Sequence, residues 1–112
     1  MATTTRTSLK HCDLITLDGR YDSQTAPELV QALRESMDAG VYHIVLDVEK
    51  VTYFGSAAIR ALVMAYKECR RFNRGDVRLA NVNPRVQQVL DMAGILPLIQ
   101  SFDDAVLAVG SF

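Results

Sequence analysis

The sequence predicts an α/β fold, a single domain in which a four- to five-stranded, mostly parallel sheet carries four packed helices. Residues 43–48 (HIVLDV) are a nearly continuous apolar run, which is typical of a strand covered on both faces, and residues 76–82 (DVRLANV) are a second, more interrupted run that we also expect to be a covered strand. Each run precedes a segment with helical spacing, and a strand followed by a helix implies a crossover to a parallel neighbour. A chain of 112 residues can fold around one core without disulfides or metals. We therefore expect one domain over residues 1–112, with residues 1–6 as a candidate flexible start.

The elements before position 43 follow from turn and cap signals. Residues 12–17 (CDLITL) predict a strand that ends at the turn signal Asp18-Gly19, and residues 5–10 predict its partner strand. A helix comes next and ends at Gly40. The residues that can cap its start are Asp22, Ser23 and Thr25, and its apolar stripe is Leu29, Leu33 and Met37, with Val30 beside it.

Three helices are predicted after position 55. The first begins at Ser56 and ends at Asn73-Arg74-Gly75, and the second opens at Asn83-Pro84 with Asn83 as its cap. Ser101 is the predicted cap of a short third helix. The predicted inward faces are Ile59, Leu62, Val63 and Tyr66 in the first helix, and Val86, Val89, Leu90 and Ala93 in the second.

Composition and charge exclude several classes of function. Twelve basic and thirteen acidic side chains give a net charge of −1, which supplies no overall attraction to nucleic acid or anionic lipid. No apolar run approaches the roughly 20 residues of a membrane span, and the start of the chain has no apolar signal core. We expect a cytoplasmic protein with neither nucleic acid nor membrane as a partner.

The cysteines and histidines do not suggest a cofactor or metal site. Cys12 and Cys69 lie far apart in sequence and are expected to be small buried hydrophobes. His11 and His43 lack the spacing of zinc ligands. Gly55-Ser56 resembles the nucleophile elbow of hydrolases, but the motif G-x-S-x-G is absent. His43, a candidate general base, is expected at the opposite end of its strand from Ser56. The prediction is a protein that is not an enzyme.

A basic run follows the first turns of the Ser56 helix. It comprises Lys67, Arg70, Arg71, Arg74 and Arg78. Cations are favoured near the C-terminus of a helix because of the helix dipole, so the run can be an ordinary solvated face. It can also contact a partner, and the sequence leaves both alternatives open.

Ser56 stands alone between Gly55 and Ala57, where a strand pattern becomes a helix pattern. A serine at a helix N-terminus can cap the helix. The same place is also suited to an added phosphate, because unpaired N–H groups and the dipole stabilise negative charge there. The small neighbours leave the hydroxyl sterically open. Cap and regulated hydroxyl are both consistent with the composition.

Three stretches resemble the STAS-domain antagonists of anti-sigma factors. They are Gly19-Arg20-Tyr21-Asp22, HIVLDVEKVTYFGSAAIRALVMAYK and LANVNPRVQQVLDMAGILPLI. They occur in the family's order with almost no gaps, and the resemblance runs from about Cys12 to the end of the chain.

The resemblance implies partner switching. Members of this family bind a serine kinase that is also an anti-sigma factor, and so release the sigma factor. The kinase phosphorylates the joint serine, which breaks the complex, and a serine phosphatase restores it. By position the acceptor is Ser56. The expected partner surface, at the carboxyl edge of the strands, comprises Arg20, Tyr21, Asp22, Ser23, Gly55, Ser56, Ala57 and Arg60.

The chain departs from the family's acceptor motif D-S-[ST]-G, which reads Gly55-Ser56-Ala57-Ala58 here. The alternatives are therefore a scaffold or sensory-complex module without phosphorylation, and a detached relative of the STAS domains of anion transporters. Two further points stay open. Asp22 either caps the first helix or orients the Ser56 hydroxyl, and the chain is either a monomer or a dimer.

Overall fold

The computed structural model describes residues 2–112. Over these residues the chain forms one five-stranded sheet and four α-helices, which confirms the predicted fold class. The strands are β1 (Ala2–Ser8), β2 (Asp13–Tyr21), β3 (His43–Phe54), β4 (Asp76–Ala80) and β5 (Ser101–Phe102). The helices are α1 (Ala26–Asp38), α2 (Ser56–Arg70), α3 (Pro84–Met92) and α4 (Ala105–Gly110), and a 3-10 turn, Arg71–Asn73, follows α2.

The strand order in the sheet is β1-β2-β3-β4-β5. β1 is antiparallel to β2, and every other neighbouring pair is parallel. The carboxyl ends of β2 and β3 therefore meet at one edge of the sheet, so the loop after β2 lies next to the start of α2.

The predicted end of β2 at Asp18-Gly19 is wrong. The strand continues to Tyr21, and its register against β3 shifts between Thr16 and Asp18 and again between Gly19 and Arg20. Gly19 has a φ of 108°, a conformation that glycine adopts without steric penalty. The turn signal therefore marks an irregularity within the strand rather than its end.

β1 begins and ends earlier than the predicted residues 5–10. It pairs with β2 in continuous register from Ala2 opposite Gly19 to Ser8 opposite Asp13. Residues 2–6 thus lie in the sheet rather than in a flexible start, and Met1 lies outside the described residues.

Two apolar clusters lie on opposite faces of the sheet. The main cluster joins α1, α2 and α3 to one face, and the predicted stripe Leu29, Leu33 and Met37 is buried in it. The smaller cluster holds Val45 and Ala108 and packs α4 on the other face. Because successive strand residues point to opposite faces, β3 contributes to both clusters.

The inward face of α2 differs from the predicted one. Of the predicted set Leu62 is buried, whereas Ile59, Val63 and Tyr66 are only half-buried. The fully buried positions are Ala58, Ala61, Leu62, Ala65 and Cys69. Small side chains allow the helix backbone to approach the sheet closely, so the larger residues lie along the flank.

Asn83 and Ser101 are the two caps predicted without an alternative, and one of them is confirmed. The Asn83 side chain caps α3, because its Oδ1 accepts a hydrogen bond from Val86 N at 3.0 Å. Ser101 is not a cap, because it lies in β5, and Asp104 Oδ1 instead accepts from Leu107 N at 2.8 Å. Ala93, predicted to be inward, is the exposed C-cap of α3.

Candidate functional site

Ser56 is the first residue of α2 and is exposed to solvent. The first hydrogen bond of the helical ladder runs from Ile59 N to Gly55 O at 3.0 Å. The N–H groups of Ser56, Ala57 and Ala58 therefore precede the ladder, as the first N–H groups of every helix do. They point toward the end of the helix that carries the positive end of the dipole.

Ser56 does not cap its helix. The N-cap is Gly55, which has an extended backbone (φ −83°, ψ −179°), and no side chain makes a capping bond. Of the two roles that the sequence left open, capping is therefore wrong. The hydroxyl is exposed and has no structural role in ending the strand or starting the helix.

The loop after β2 lies beside Ser56, as predicted. Gly55 N donates to Tyr21 O at 2.9 Å, and Tyr21 is opposite Phe54 in the β2–β3 register. Residues 20–25 and the first turn of α2 thus form one continuous surface at the carboxyl edge.

Tyr21 must be removed from the predicted contact surface. Its side chain is 0% exposed, and its hydroxyl donates to Thr3 O at 2.8 Å and lies 2.9 Å from Thr4 Oγ1. Asp18 N donates to the same hydroxyl at 3.3 Å. Burial raises the pKa of Tyr21. Tyr21 therefore joins β1 to the carboxyl end of β2.

Asp22 organises the turn that leads into α1. Its Oδ1 accepts from Gln24 N at 2.9 Å and from Thr25 N at 3.2 Å, and its Oδ2 accepts from Arg20 Nε at 3.2 Å. The bond from Gln24 N, with further bonds from Thr25 and Arg20, lowers the pKa of Asp22. The N-cap position itself belongs to Thr25. Asp22 makes no hydrogen bond to Ser56 in the described chain, so the orienting role is not observed.

Tyr53 is a residue of this surface that the sequence reasoning missed. It is 43% exposed, and the Arg20 guanidinium lies 4.1 Å from the centroid of its ring. Arg20 and Tyr53 are opposite each other in the β2–β3 register. Strand alternation gives a signal for its exposure, because Tyr53 precedes the buried Phe54 and so points away from the main core.

The remaining predicted residues differ in exposure. Ser23 and Arg60 are exposed, Ala57 is half-buried, and Gly55 is buried. Arg60 follows Ser56 by four positions, so the two side chains occupy the same face of α2 one turn apart. The backbone of Gly55 lies beneath the Tyr53 ring, so a partner would contact the ring and not Gly55 itself.

The residues described provide neither a general base beside Ser56 nor a metal site. His43 lies at the amino end of β3, opposite Ser56, and its Nδ1 is 3.1 Å from His11 O. The described residues contain no group of side chains placed to hold a metal ion. Among residues 2–112 no helix combines the length and apolarity needed to cross a membrane. Cys12 and Cys69 are both free and buried, and burial raises the pKa of each thiol, that of Cys69 to about 12.

Comparison with known proteins identifies the family of this fold. The family model described as the STAS domain matches residues 5–108. BtrV of Bordetella bronchiseptica, named as a candidate anti-sigma factor antagonist, is 27% identical over 96 residues, covering 86% of this chain and 82% of BtrV.

Two solved structures are similar in fold. An anti-sigma factor antagonist from Mycobacterium paratuberculosis has a TM-score of 0.89 at 18% identity, covering 99% of this chain and 93% of that one. The Bacillus cell fate determinant SpoIIAA in its phosphorylated form has a TM-score of 0.76 at 15% identity, covering 97% and 98%.

Proposed function

Because the chain belongs to the STAS domain family, we propose that it is an anti-sigma factor antagonist that acts by partner switching. In its unphosphorylated form it binds an anti-sigma factor that is also a serine kinase, in the cytoplasm. Phosphorylation of Ser56 releases that partner, and a serine phosphatase restores binding. The chain itself acts by binding and not by catalysis.

The observation that carries this proposal is the position of Ser56. Its hydroxyl is exposed at the first residue of α2 and caps nothing. A kinase can therefore reach it without unfolding the helix. The N–H groups that precede the ladder and the helix dipole would stabilise the added phosphate. Arg60 lies one turn further along α2 and makes no ion pair within residues 2–112. Its guanidinium adds a full positive charge to the partial charge of the helix N-terminus.

The same phosphate would disrupt a complex on this surface. Arg20, Asp22 and Arg60 give the surface few charges, and its centre consists of the small residues around Ser56. Placing almost two negative charges in a contact that excludes water can weaken binding by several kcal/mol, and each 1.4 kcal/mol is about tenfold in affinity. A micromolar complex would then dissociate at ordinary protein concentrations.

The experiment is phosphorylation by each serine kinase encoded near this chain's gene, in the presence of ATP, followed by intact mass. The expected result is one added phosphate on the wild-type chain and none on Ser56→Ala. Ser23→Ala is the matched control, because Ser23 is an exposed serine of the same surface and its loss should leave phosphorylation unchanged. Phosphate on Ser56→Ala would place the acceptor elsewhere.

A binding module without a switch is the second candidate, and one observation favours it. The residue before Ser56 is glycine and offers a kinase no acidic group, and the Tyr53 ring lies over the place where a side chain would begin. In that case the same surface would hold a permanent partner in a scaffold or sensory complex. No kinase would then add phosphate, and the partner would bind wild type and Ser56→Ala equally.

A further inference from the structure

A cluster of cationic and aromatic side chains lies at the amino ends of the parallel strands, opposite Ser56. We name it the Phe72 surface, and it comprises Lys10, Tyr42, Arg71, Phe72 and Arg74. Lys10 precedes β2, Tyr42 precedes β3, and the other three lie between α2 and β4. Asp76 N donates to Tyr42 O at 3.0 Å, which joins the last two segments.

The structure divides the basic run into two groups. Arg70 and Arg78 both bind the buried carboxylate of Asp76, at 3.3 and 3.2 Å, so their charges are used within the fold. Arg71 and Arg74 have no carboxylate partner among residues 2–112. Arg74 is held by carbonyl oxygens instead, with Nη2 2.8 Å from Glu68 O and Nε 3.2 Å from Arg71 O.

Aromatic rings position the uncompensated cations. The Arg74 guanidinium lies 4.1 Å from the Tyr42 centroid, and the Arg71 guanidinium lies 5.1 Å from the Phe72 centroid. Arg74 donates from Nε and Nη2 to carbonyl oxygens, which leaves its Nη1 group free, and a stacked guanidinium such as that of Arg71 keeps the N–H groups at its edge accessible. These two arginines are therefore oriented to donate hydrogen bonds to an incoming anion.

Phe72 is the least expected residue here, because it is 79% exposed and has a φ of 58°. A bulky non-glycine residue in the left-handed region is a conformational outlier. Its side chain buries little within the fold, so its own packing does not account for that conformation. An exposed aromatic beside uncompensated arginines is the composition typical of a protein interface.

We propose that the Phe72 surface docks an extended acidic segment of a partner protein that carries an apolar side chain. Carboxylates of the segment would pair with Arg71, Arg74 and Lys10, and its apolar side chain would pack on Phe72. A shallow groove of about 220 Å³ lies beside Arg74, between Lys10-His11 and Tyr42, and can take a side chain of such a segment. A nucleic acid fits less well, because the net charge is −1 and strand binding uses rows of stacking aromatics. The surface lies at the opposite end of the strands from Ser56, so a phosphate on Ser56 would not contact the docked segment.

The test is fluorescence anisotropy with a labelled glutamate-rich peptide that contains one central phenylalanine. Arg71→Glu should weaken binding at least about tenfold, because it places like charges together. Phe72→Gly should also weaken it, and this variant cannot fail by misfolding at position 72, since glycine accepts a positive φ. Arg85→Glu is the charge-matched control, because Arg85 is exposed at the start of α3 and its reversal should leave binding unchanged.

Several results would overturn the proposal. They are no saturable binding of the peptide, equal weakening by Arg71→Glu and Arg85→Glu, full binding by Phe72→Gly, or tighter binding of single-stranded DNA than of the peptide. Saturable binding that both surface variants weaken and the control variant retains would support it.

Discussion

The ring of Tyr53 lies over Gly55, where a side chain at position 55 would begin. A Cβ added to Gly55 would come within 2.8 Å of Tyr53 Cε2 and 3.2 Å of Tyr21 O. The backbone of Gly55 is extended (φ −83°), so any residue could adopt its conformation. A side chain at position 55 is therefore opposed by the Tyr53 ring and by Tyr21 O, and not by the conformation of the Gly55 backbone.

This relationship predicts coupling between positions 53 and 55. An aspartate at the N-cap of α2 should stabilise the helix, but in the wild-type background it must displace the Tyr53 ring from Arg20. Gly55→Asp should therefore increase the free energy of unfolding by about 0.5–1 kcal/mol more in a Tyr53→Ala background, since an exposed cation–π contact is worth roughly that amount. Urea unfolding of the four proteins measures the coupling. Equal effects of Gly55→Asp in both backgrounds would show that the ring does not restrict position 55.

Substitutions at Ser56 should separate stability from binding. Because Ser56 caps nothing, Ser56→Ala should change the free energy of unfolding by less than about 0.5 kcal/mol and keep partner binding. Ser56→Asp should stabilise the helix by about 0.3–1 kcal/mol through the dipole and yet abolish binding. Chemical denaturation and titration calorimetry with the cognate anti-sigma factor measure the two effects. A Ser56→Asp protein that binds as tightly as wild type would mean that charge at this position does not control the partner.

Asp22 should contribute stability only where it is ionised. Its folded pKa is lowered by bonds from Gln24 N, Thr25 N and Arg20, so its contribution is present above the unfolded pKa and is lost as pH falls through the folded pKa. Asp22→Asn keeps an oxygen acceptor but removes the charge. We expect a lower melting temperature than wild type at neutral pH, with a difference that shrinks in acid. Thermal denaturation over a pH series measures this, and a difference that persists unchanged in acid would assign the loss to geometry instead of charge.

The order and type of the elements could be predicted because local signals agree with the fold. The strands β3 and β4, the Asn83 cap and the break at Gly55 each depend on a few neighbouring residues, and each is found where it was expected, except that β4 ends at Ala80 and not at residue 82. The position of Ser56 at the start of α2 followed from the same kind of local pattern. β5 was not predicted because a strand of two residues is too short to show an alternation of apolar and polar side chains.

The errors in the candidate site come from contacts between distant residues. Tyr21 looked like a loop residue, but its burial depends on Thr3 and Thr4, which only the pairing of β1 brings near. Tyr53 could be placed outside the main core by alternation, yet the direction of its ring depends on Arg20 in the neighbouring strand.

Tyr21→Phe should test whether this residue is structural. The substitution keeps the ring and removes the hydroxyl that joins Thr3 O, Thr4 Oγ1 and Asp18 N. Thr3 and Asp18 are exposed and Thr4 is half-buried, so water can replace part of the lost bonding, and the free energy of unfolding should fall by about 0.5–1.5 kcal/mol. Affinity for the partner, measured on the folded protein, should not change, because the side chain is buried. A loss of affinity without a loss of stability would return Tyr21 to the contact surface.

Cys69 should make the protein less stable in alkali. Burial, the largest cause, raises the pKa of its thiol from 9.0 to about 12. Below 9.0 the thiol is protonated in both states, and its contribution to stability is fully present. Above 9.0 the Cys69 thiol ionises in the unfolded chain but not in the folded chain, so stability falls by up to about 1.4 kcal/mol per pH unit until the folded thiol ionises.

Cys69→Ala removes this dependence while Cys12, Tyr21 and the basic groups still titrate. Urea unfolding on both sides of that pH should therefore show a steeper alkaline loss for wild type than for Cys69→Ala. Parallel curves would mean that the thiolate is accommodated in the folded core.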